Sequence, residues 1–164
     1  GNHDMWMKDY LQTELNIPVY YEPKQFTFNG KQFLVGHGDG LGPGDHGYKM
    51  LKKVFRNPAC QWLFGILPPV VGVGLANYLS RRSRAQTGST EETFLGEDKE
   101  WLIIYCKEVL QQKKFEFFVF GHRHLPIDFR LNEESRYINL GDWIRYFSYA
   151  SFDGQNLELN YFKS

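Results

Sequence analysis

A chain of 164 residues with 42% hydrophobic and 23% charged residues can bury one core of ordinary size, which predicts a single globular domain. Lysine plus arginine and aspartate plus glutamate both number 19, and this balance excludes the basic footprint of a nucleic-acid-binding protein. The two cysteines lie far apart among apolar neighbours, which favours reduced thiols and the cytoplasm over a disulfide framework.

The hydrophobic pattern predicts a mixed α and β protein. In chain order the predicted elements are a helix over residues 5–15, a hairpin over 25–38 with its turn at Asn29-Gly30, a helix over 45–55, a helix over 97–114 and a buried strand over 115–122. The helix over 97–114 has the clearest signal because it is acidic at its start and basic at its end. The C-terminal third alternates in polarity, with a second tight turn at Asp153-Gly154, and predicts a β-meander.

Residues 58–80 carry no charge, and a run of this length could in principle cross a bilayer. Pro68 and Pro69 lie together near its centre with glycines on both sides, so two short apolar helices at an angle are favoured over one spanning helix. The arginine-rich residues 81–84 follow directly, which suits an element that lies on a membrane surface or over an anionic, apolar ligand.

Polar clusters follow two apolar runs of the sequence. Gly36-His37 ends the predicted hairpin, and Gly121-His122 ends the predicted strand over residues 115–122. Glycine lets the backbone turn there, so that the imidazole projects from the sheet edge into a cleft. His124 lies two residues beyond His122, a spacing that can reach two neighbouring metal ions. These clusters, with a third at Asn2-His3, predict a metal site.

Three motifs in sequence order carry a family resemblance. "GNHD" at residues 1–4, "GHGD" at 36–39 and "GHRH" at 121–124 resemble the second half of the signature of the calcineurin-like metallophosphoesterases. The resemblance implies an α/β fold, a four-layer α/β/β/α sandwich that here lacks its first strands. It also implies that residues 1–164 form the C-terminal part of one domain, with a helical cap inserted at about residues 45–95.

The same resemblance implies the composition of the site. Two divalent metal ions would be bound, with manganese favoured and iron or zinc as alternatives. Asn2, His37 and His122 would bind one ion, and His124 would bind the other. Asp39, which follows His37 closely, would support a ligand rather than bind metal.

Two further residues of the first motif would take part in the reaction. His3, oriented by Asp4, would stand over the phosphate as an acid or as a stabiliser of developing charge. Asn139-Leu140-Gly141-Asp142 contains a Gly-Asp pair like one that the family signature carries near its start, but it follows the third motif. We therefore interpret it as a turn at a strand end.

Within that family, the chain resembles the bacterial UDP-2,3-diacylglucosamine hydrolases of lipid A biosynthesis. The resemblance rests on "HGDGLGPGDHGYK" at residues 37–49, on the apolar insertion and on "SRAQT" at residues 83–87. It implies a UDP-linked acylated sugar as substrate, with UMP and 2,3-diacylglucosamine 1-phosphate as products, and an enzyme peripheral to the cytoplasmic side of the inner membrane. Tyr48, Arg84 and Thr87 would contact the substrate. An equally favoured interpretation of Arg84 is a charged side chain of the cap that faces solvent.

Two other functions stay open. The protein could be a general metallophosphodiesterase that acts on another phosphoester, or a catalytically inert module that binds a lipid or a partner. The family signature also has an Asp-x-His and a Gly-Asp before "GNHD", and the given sequence starts at the third motif. We therefore expect these residues alone to bind at most one metal ion weakly, to show no hydrolysis and to self-associate.

Overall fold

The computed structural model describes residues 5–6, 10–44, 46–87 and 93–162, with only the backbone of residues 82–87. Its helices are α1 Tyr10–Thr13, α2 His46–Arg56, α3 Pro58–Gly65, α4 Pro69–Thr87 and α5 Trp101–Leu110. Its strands are β1 Lys24–Phe28, β2 Lys31–Gly36, β3 Phe117–Phe120, β4 Pro126–Arg130, β5 Arg136–Leu140, β6 Ser148–Phe152 and β7 Leu157–Tyr161. The predicted mixed α/β class is confirmed.

The main sheet has five strands in the order β1-β2-β3-β5-β4. The three central strands, β2, β3 and β5, are parallel, and each outer strand is antiparallel to its neighbour. Gly36 pairs with Phe120, and Phe120 pairs with Asn139, so the carboxyl ends of all three central strands lie side by side. Residues that follow these strands are therefore collected at one edge, where open α/β sheets usually bind ligands.

The core lies on both faces of this sheet because successive residues of a strand point to opposite sides. Phe118 and Phe120 of β3 pack against α5 on one face, in a cluster with Ile103 and Cys106. Phe117 lies on the other face with Leu157 of β7, in a second cluster. The order helix, five-stranded sheet, two-stranded sheet matches three layers of the expected sandwich. The aromatic run that predicted a buried strand reflects this double-sided burial.

The predicted β-meander is wrong in its continuity. β4 and β5 belong to the main sheet, whereas β6 and β7 form a separate two-stranded sheet. The chain changes direction after β5, because Gly141 has a φ of 70° and the Asp142 carboxylate accepts hydrogen bonds from the backbone N–H groups of Ile144 and Arg145. A left-handed glycine followed by a side-chain-capped turn ends the strand and carries the next pair to the other layer.

Helix boundaries also differ from the sequence prediction. α5 begins at Trp101 rather than at 97, because the Glu100 side chain turns back to accept a hydrogen bond from the Leu95 N–H at 3.0 Å. Of the first predicted helix, Tyr10–Thr13 is helical. The helix over 45–55 is confirmed as α2, and the Asn29-Gly30 hairpin is confirmed with both turn residues at positive φ.

The uncharged stretch forms two helices, as predicted, and the break falls at Pro68 between α3 and α4. α4 is not short as predicted, because it continues past the uncharged stretch to Thr87. α3 is capped by Asn57, whose side-chain oxygen accepts hydrogen bonds from the N–H groups of Ala59 and Cys60. Within the described parts of the chain, no helix is both long enough and apolar enough to span a bilayer.

Candidate metal centre

His37 and His122 meet at the carboxyl edge of the sheet. His37 follows β2 and His122 follows β3, and the Gly121 N–H donates to the His37 carbonyl at 3.0 Å, which extends the parallel pairing by one step. The two imidazole rings lie edge to face, with 5.3 Å between their centroids. The strand register therefore places two nitrogen ligands within reach of one point in space.

The backbone at His122 is held in an unusual conformation. Its φ is 63°, and the Arg123 N–H donates to the Gly121 carbonyl at 2.7 Å, which closes a tight turn around the histidine. Such backbone strain persists only where the surroundings fix it, and it is concentrated at functional sites. The turn aims the imidazole out of the strand and toward His37.

Asn139 of β5 supplies part of that fixation. Its side chain is fully buried, and its amide group donates to the Leu125 carbonyl at 2.7 Å and to the Arg123 carbonyl. These two carbonyls belong to the loop that carries His122 and His124. A buried amide that bonds both sides of a loop orders its backbone, since leaving those carbonyls without partners would cost free energy.

The Arg123 side chain anchors the same loop to a second element. Its guanidinium lies 3.0 Å from the Glu100 carboxylate, with side-chain exposures of 14% and 3% respectively. The same nitrogen donates to the Thr93 carbonyl at 2.7 Å. The loop between the two histidines is therefore tied to the segment that enters α5.

The environment favours neutral histidine at the centre. Burial, together with the nearby His122, lowers the pKa of His37 from 6.5 to about 4. A neutral imidazole keeps a nitrogen lone pair, which is the form that binds metal. Two imidazoles on one ion, with bonds of about 2 Å, place their ring centroids roughly 5 Å apart, so the observed pair fits a shared ion.

Asp39 lies beside this pair in a network of its own. Its carboxylate accepts from the Tyr48 hydroxyl at 2.8 Å and from the Lys52 ammonium at 2.9 Å. Burial alone would raise the pKa of Asp39, but the hydrogen bonds from Lys52 and Tyr48 outweigh it and lower the pKa. The Tyr48 ring lies 6.3 Å from the His122 ring, which places this predicted substrate contact next to the centre.

His124 lies near Asp142, which follows β5 by two residues. Slight burial would raise the pKa of Asp142, but hydrogen bonds from the backbone N–H groups of Arg145, Ile144 and Tyr146, with the nearby His124, lower it. The Asp142 carboxylate thus caps a turn, as the sequence interpretation expected. Its negative charge also faces His124 at the sheet edge.

The remaining predicted site residues lie outside the described residues. These are Asn2, His3 and Asp4, together with the side chains of Arg84 and Thr87. Within the described residues no group of three His, Cys, Asp or Glu side chains is close enough to hold a metal ion. The roles of all these residues, and those of His37, His122, His124, Tyr48 and Asp39, stay predictions.

Comparison with known proteins gives a consistent set of relatives, although no protein-family model matches the chain. A UDP-2,3-diacylglucosamine hydrolase of Porphyromonas gingivalis is 37% identical over 172 residues, which cover 97% of this chain and 65% of that protein. This chain is homologous to the UDP-2,3-diacylglucosamine hydrolases. Proteins of the same name from Pseudomonas savastanoi pv. phaseolicola and Pseudomonas aeruginosa are each 28% identical, over 99% and 88% of this chain.

The chain spans less than two thirds of the length of these hydrolase relatives, at 65%, 65% and 60% in the same order. The similarity includes nearly the whole of the described structure.

Sequence reasoning missed the residues that hold the centre in place. Asn139 is a polar residue inside an apolar strand, and that contrast was a usable signal. Glu100 carried no comparable signal, because an acidic residue at a helix start is usually explained by the helix dipole. Lys52 resembles any other lysine of a solvated helix, and only the fold shows that it bonds Asp39.

Proposed function

We propose that the protein containing this chain is a metal-dependent hydrolase of UDP-2,3-diacylglucosamine. It would cleave the pyrophosphate and release UMP and 2,3-diacylglucosamine 1-phosphate. The observation that carries the proposal is the His37 and His122 pair, 5.3 Å apart at the carboxyl edge of the central strands. The names of the homologous hydrolases support the substrate.

Two divalent ions belong to this proposal, with Mn²⁺ favoured by the family resemblance and Fe²⁺ or Zn²⁺ as alternatives. His37 and His122 would hold one ion together with Asn2, and His124 would serve the other. When bound, such ions supply positive charge at the phosphoryl oxygens and acidify an attacking water. The observed ring geometry and the neutral state of His37 fit this use.

The chain's own residues orient the reacting groups. Asn139 and the Arg123 to Glu100 pair fix the loop that presents His122. Asp39, held by Tyr48 and Lys52, places a negative charge beside His37, which favours ligation of a cation there. His3, with Asp4, would stabilise charge on the phosphate, as the resemblance implies.

The helices α3 and α4 would form the inner wall of a cap that accepts acyl chains. They expose many large apolar side chains, with Trp62 67% and Val70 85% exposed. Exposed apolar patches of this size usually mark a ligand or a membrane surface. Arg84 and Thr87, near the end of α4, would contact the sugar phosphate half.

The same surface would bind the protein peripherally to the cytoplasmic face of the inner membrane. Arg81 follows the apolar run, and basic residues beside an apolar face favour contact with anionic lipid. Val70→Glu should then reduce sedimentation with anionic vesicles several-fold, whereas Lys31→Glu on the hairpin should change it little. Equal sedimentation of both variants with wild type would remove the membrane role.

The substrate is tested with the full-length gene product and Mn²⁺. Mass spectrometry should detect UMP from UDP-2,3-diacylglucosamine, and His122→Ala should abolish its release, whereas His46→Ala on α2 should not. Leu75→Asp or Leu79→Asp should slow hydrolysis of this substrate far more than that of a soluble phosphodiester. Equal losses on both would leave a general phosphodiesterase, and no turnover of either by wild type would leave a binding module.

A further inference from the structure

A basic cleft opens beside His37, between α2 and the segment that leads into β1. We define the basic cleft by Tyr21, Lys52, Lys53 and Arg56, which line it together with His37. Its inner part has a volume of about 110 Å³ and includes Lys52 and Arg56. The same two residues border a wider hollow of about 490 Å³ toward solvent, so the two spaces lie side by side.

The cationic side chains come from one face of a helix. Lys49, Lys52, Lys53 and Arg56 follow the spacing of three and four residues that aligns side chains along α2. All four line the outer hollow. A helix face built this way presents a row of positive charge, although the whole chain has no net charge.

Two carboxylates hold part of this row in position. Asp39 binds Lys52 at 2.9 Å, and Glu22 binds Arg56 at 2.5 Å. Among the described residues that line the two spaces, four cationic side chains thus face two carboxylates, an excess of two positive charges. The Arg56 guanidinium also donates to the Tyr21 carbonyl at 2.8 Å and lies 5.5 Å from the Tyr21 ring centroid. Lys52 and Arg56 are therefore ordered before any ligand arrives.

We infer that the basic cleft binds a nucleoside monophosphate, with the phosphate at the Lys52, Lys53 and Arg56 side chains and the base against Tyr21, which lines the inner part. This inference rests on the proposed function, because it assigns the nucleotide half of the substrate to a place next to His37. Excess positive charge selects a phosphate over an acyl chain, and ordered guanidinium and ammonium groups match phosphate oxygens. An exposed tyrosine ring beside the phosphate offers a face for a pyrimidine.

The test is calorimetric titration of the full-length gene product with UMP, uridine and inorganic phosphate in EDTA, so that neither metal nor turnover is needed. UMP should bind at least tenfold more tightly than uridine, and the affinity should fall as salt rises from 50 to 300 mM. Lys53→Gln with Arg56→Gln should weaken UMP binding at least tenfold. Lys114→Gln is the matched control, because Lys114 precedes β3 at the opposite sheet edge and is 93% exposed.

Two results would overturn the inference. One is equal affinity for UMP and uridine, and the other is unchanged UMP affinity in the double variant. Because Lys53 is exposed, the single variant Lys53→Gln should keep the native fold and should alone weaken UMP binding measurably. A failed titration combined with His122-dependent hydrolysis of the full substrate would reject the cleft and leave the proposed function standing. Tight UMP binding without any hydrolysis of the full substrate would support the cleft and reject the proposed function.

Discussion

Arg123 and Glu100 form an ion pair of 3.0 Å that is almost completely buried, and Arg123 lies between the two histidines of the third motif. Glu100 stands at the start of α5, and its carboxylate also accepts from the Leu95 N–H. One carboxylate thus links three separate parts of the chain. The pair gives the loop with His122 a fixed position relative to the core.

Glu100→Ala should strongly destabilise the protein, because it leaves the Arg123 guanidinium buried without its counter-charge. We expect a loss of roughly 3–5 kcal/mol in the free energy of unfolding. Glu97→Ala is the control, since the Glu97 to Lys107 pair is exposed and should contribute about 1 kcal/mol or less. Urea titrations of the two variants measure both values. Similar losses would show that burial of the Arg123 pair has no special effect.

Asn139→Leu should loosen the loop that carries His122 and His124, because the Leu125 and Arg123 carbonyls lose their amide donor. We expect the free energy of unfolding to fall by about 1–3 kcal/mol. Mn²⁺ affinity should fall as well, which a purely structural role would not require. Asn160→Leu, at a half-buried position of β7 in the other sheet, is the control for both measurements. Unchanged Mn²⁺ affinity in Asn139→Leu would show that Asn139 stabilises the fold but does not position the metal ligands.

The fold could be predicted from the sequence wherever one local signal dominated. The Asn29-Gly30 turn requires two positive φ angles, and those residues adopt them readily. Pro68 and Pro69 cannot continue a helix, so the break between α3 and α4 followed directly. In these places local chemistry and tertiary structure agree.

Local signals failed where a tertiary contact decided the outcome. The start of α5 moved to Trp101 because the Glu100 side chain bonds both the Leu95 N–H and Arg123, a partner 23 residues away. The separation of β6 and β7 from the main sheet depends on the turn after Gly141, which the Asp142 carboxylate caps. In the sequence, this Gly-Asp pair looks the same as an ordinary connection between two strands of one sheet. Of the site, Gly-His at strand ends predicted the meeting of His37 and His122, but the supporting residues needed the fold.

Gly141→Ala tests the turn that separates the two sheets. The φ of Gly141 is 70°, and an added Cβ would lie 2.7 Å from Pro126 and 2.8 Å from Ser148. We expect the free energy of unfolding to fall by roughly 1–3 kcal/mol. Gly74→Ala inside α4 meets no atom within 4 Å and should instead raise it by about 0.5–1 kcal/mol. If calorimetry shows that both substitutions change stability in the same direction, the special role of Gly141 in this turn is contradicted.

The pKa of His37 predicts a pH dependence for the metal-free protein. Burial and the neighbouring His122 lower this pKa from 6.5 to about 4, so between these values the unfolded chain binds more protons than the native state. The contribution of His37 to stability is therefore complete above pH 6.5 and is lost as pH falls toward 4.

Proton NMR in EDTA should show the His37 imidazole titrating near pH 4. Unfolding measured at pH 7 and pH 5 should show a smaller drop in stability for His37→Gln than for wild type. His46→Gln, on the exposed start of α2, should keep the wild-type drop. A His37 resonance that titrates near 6.5 would mean that the imidazole is open to solvent.

The central claim is that His37 and His122 bind one metal ion. The direct test is a titration of the full-length gene product with Mn²⁺. Electron paramagnetic resonance measures binding as the loss of the free-ion signal. His37→Ala and His122→Ala should each weaken binding by at least about tenfold, because each removes a nitrogen ligand, whereas His46→Ala should bind as wild type does. Wild-type Mn²⁺ affinity in both His37→Ala and His122→Ala would contradict the account.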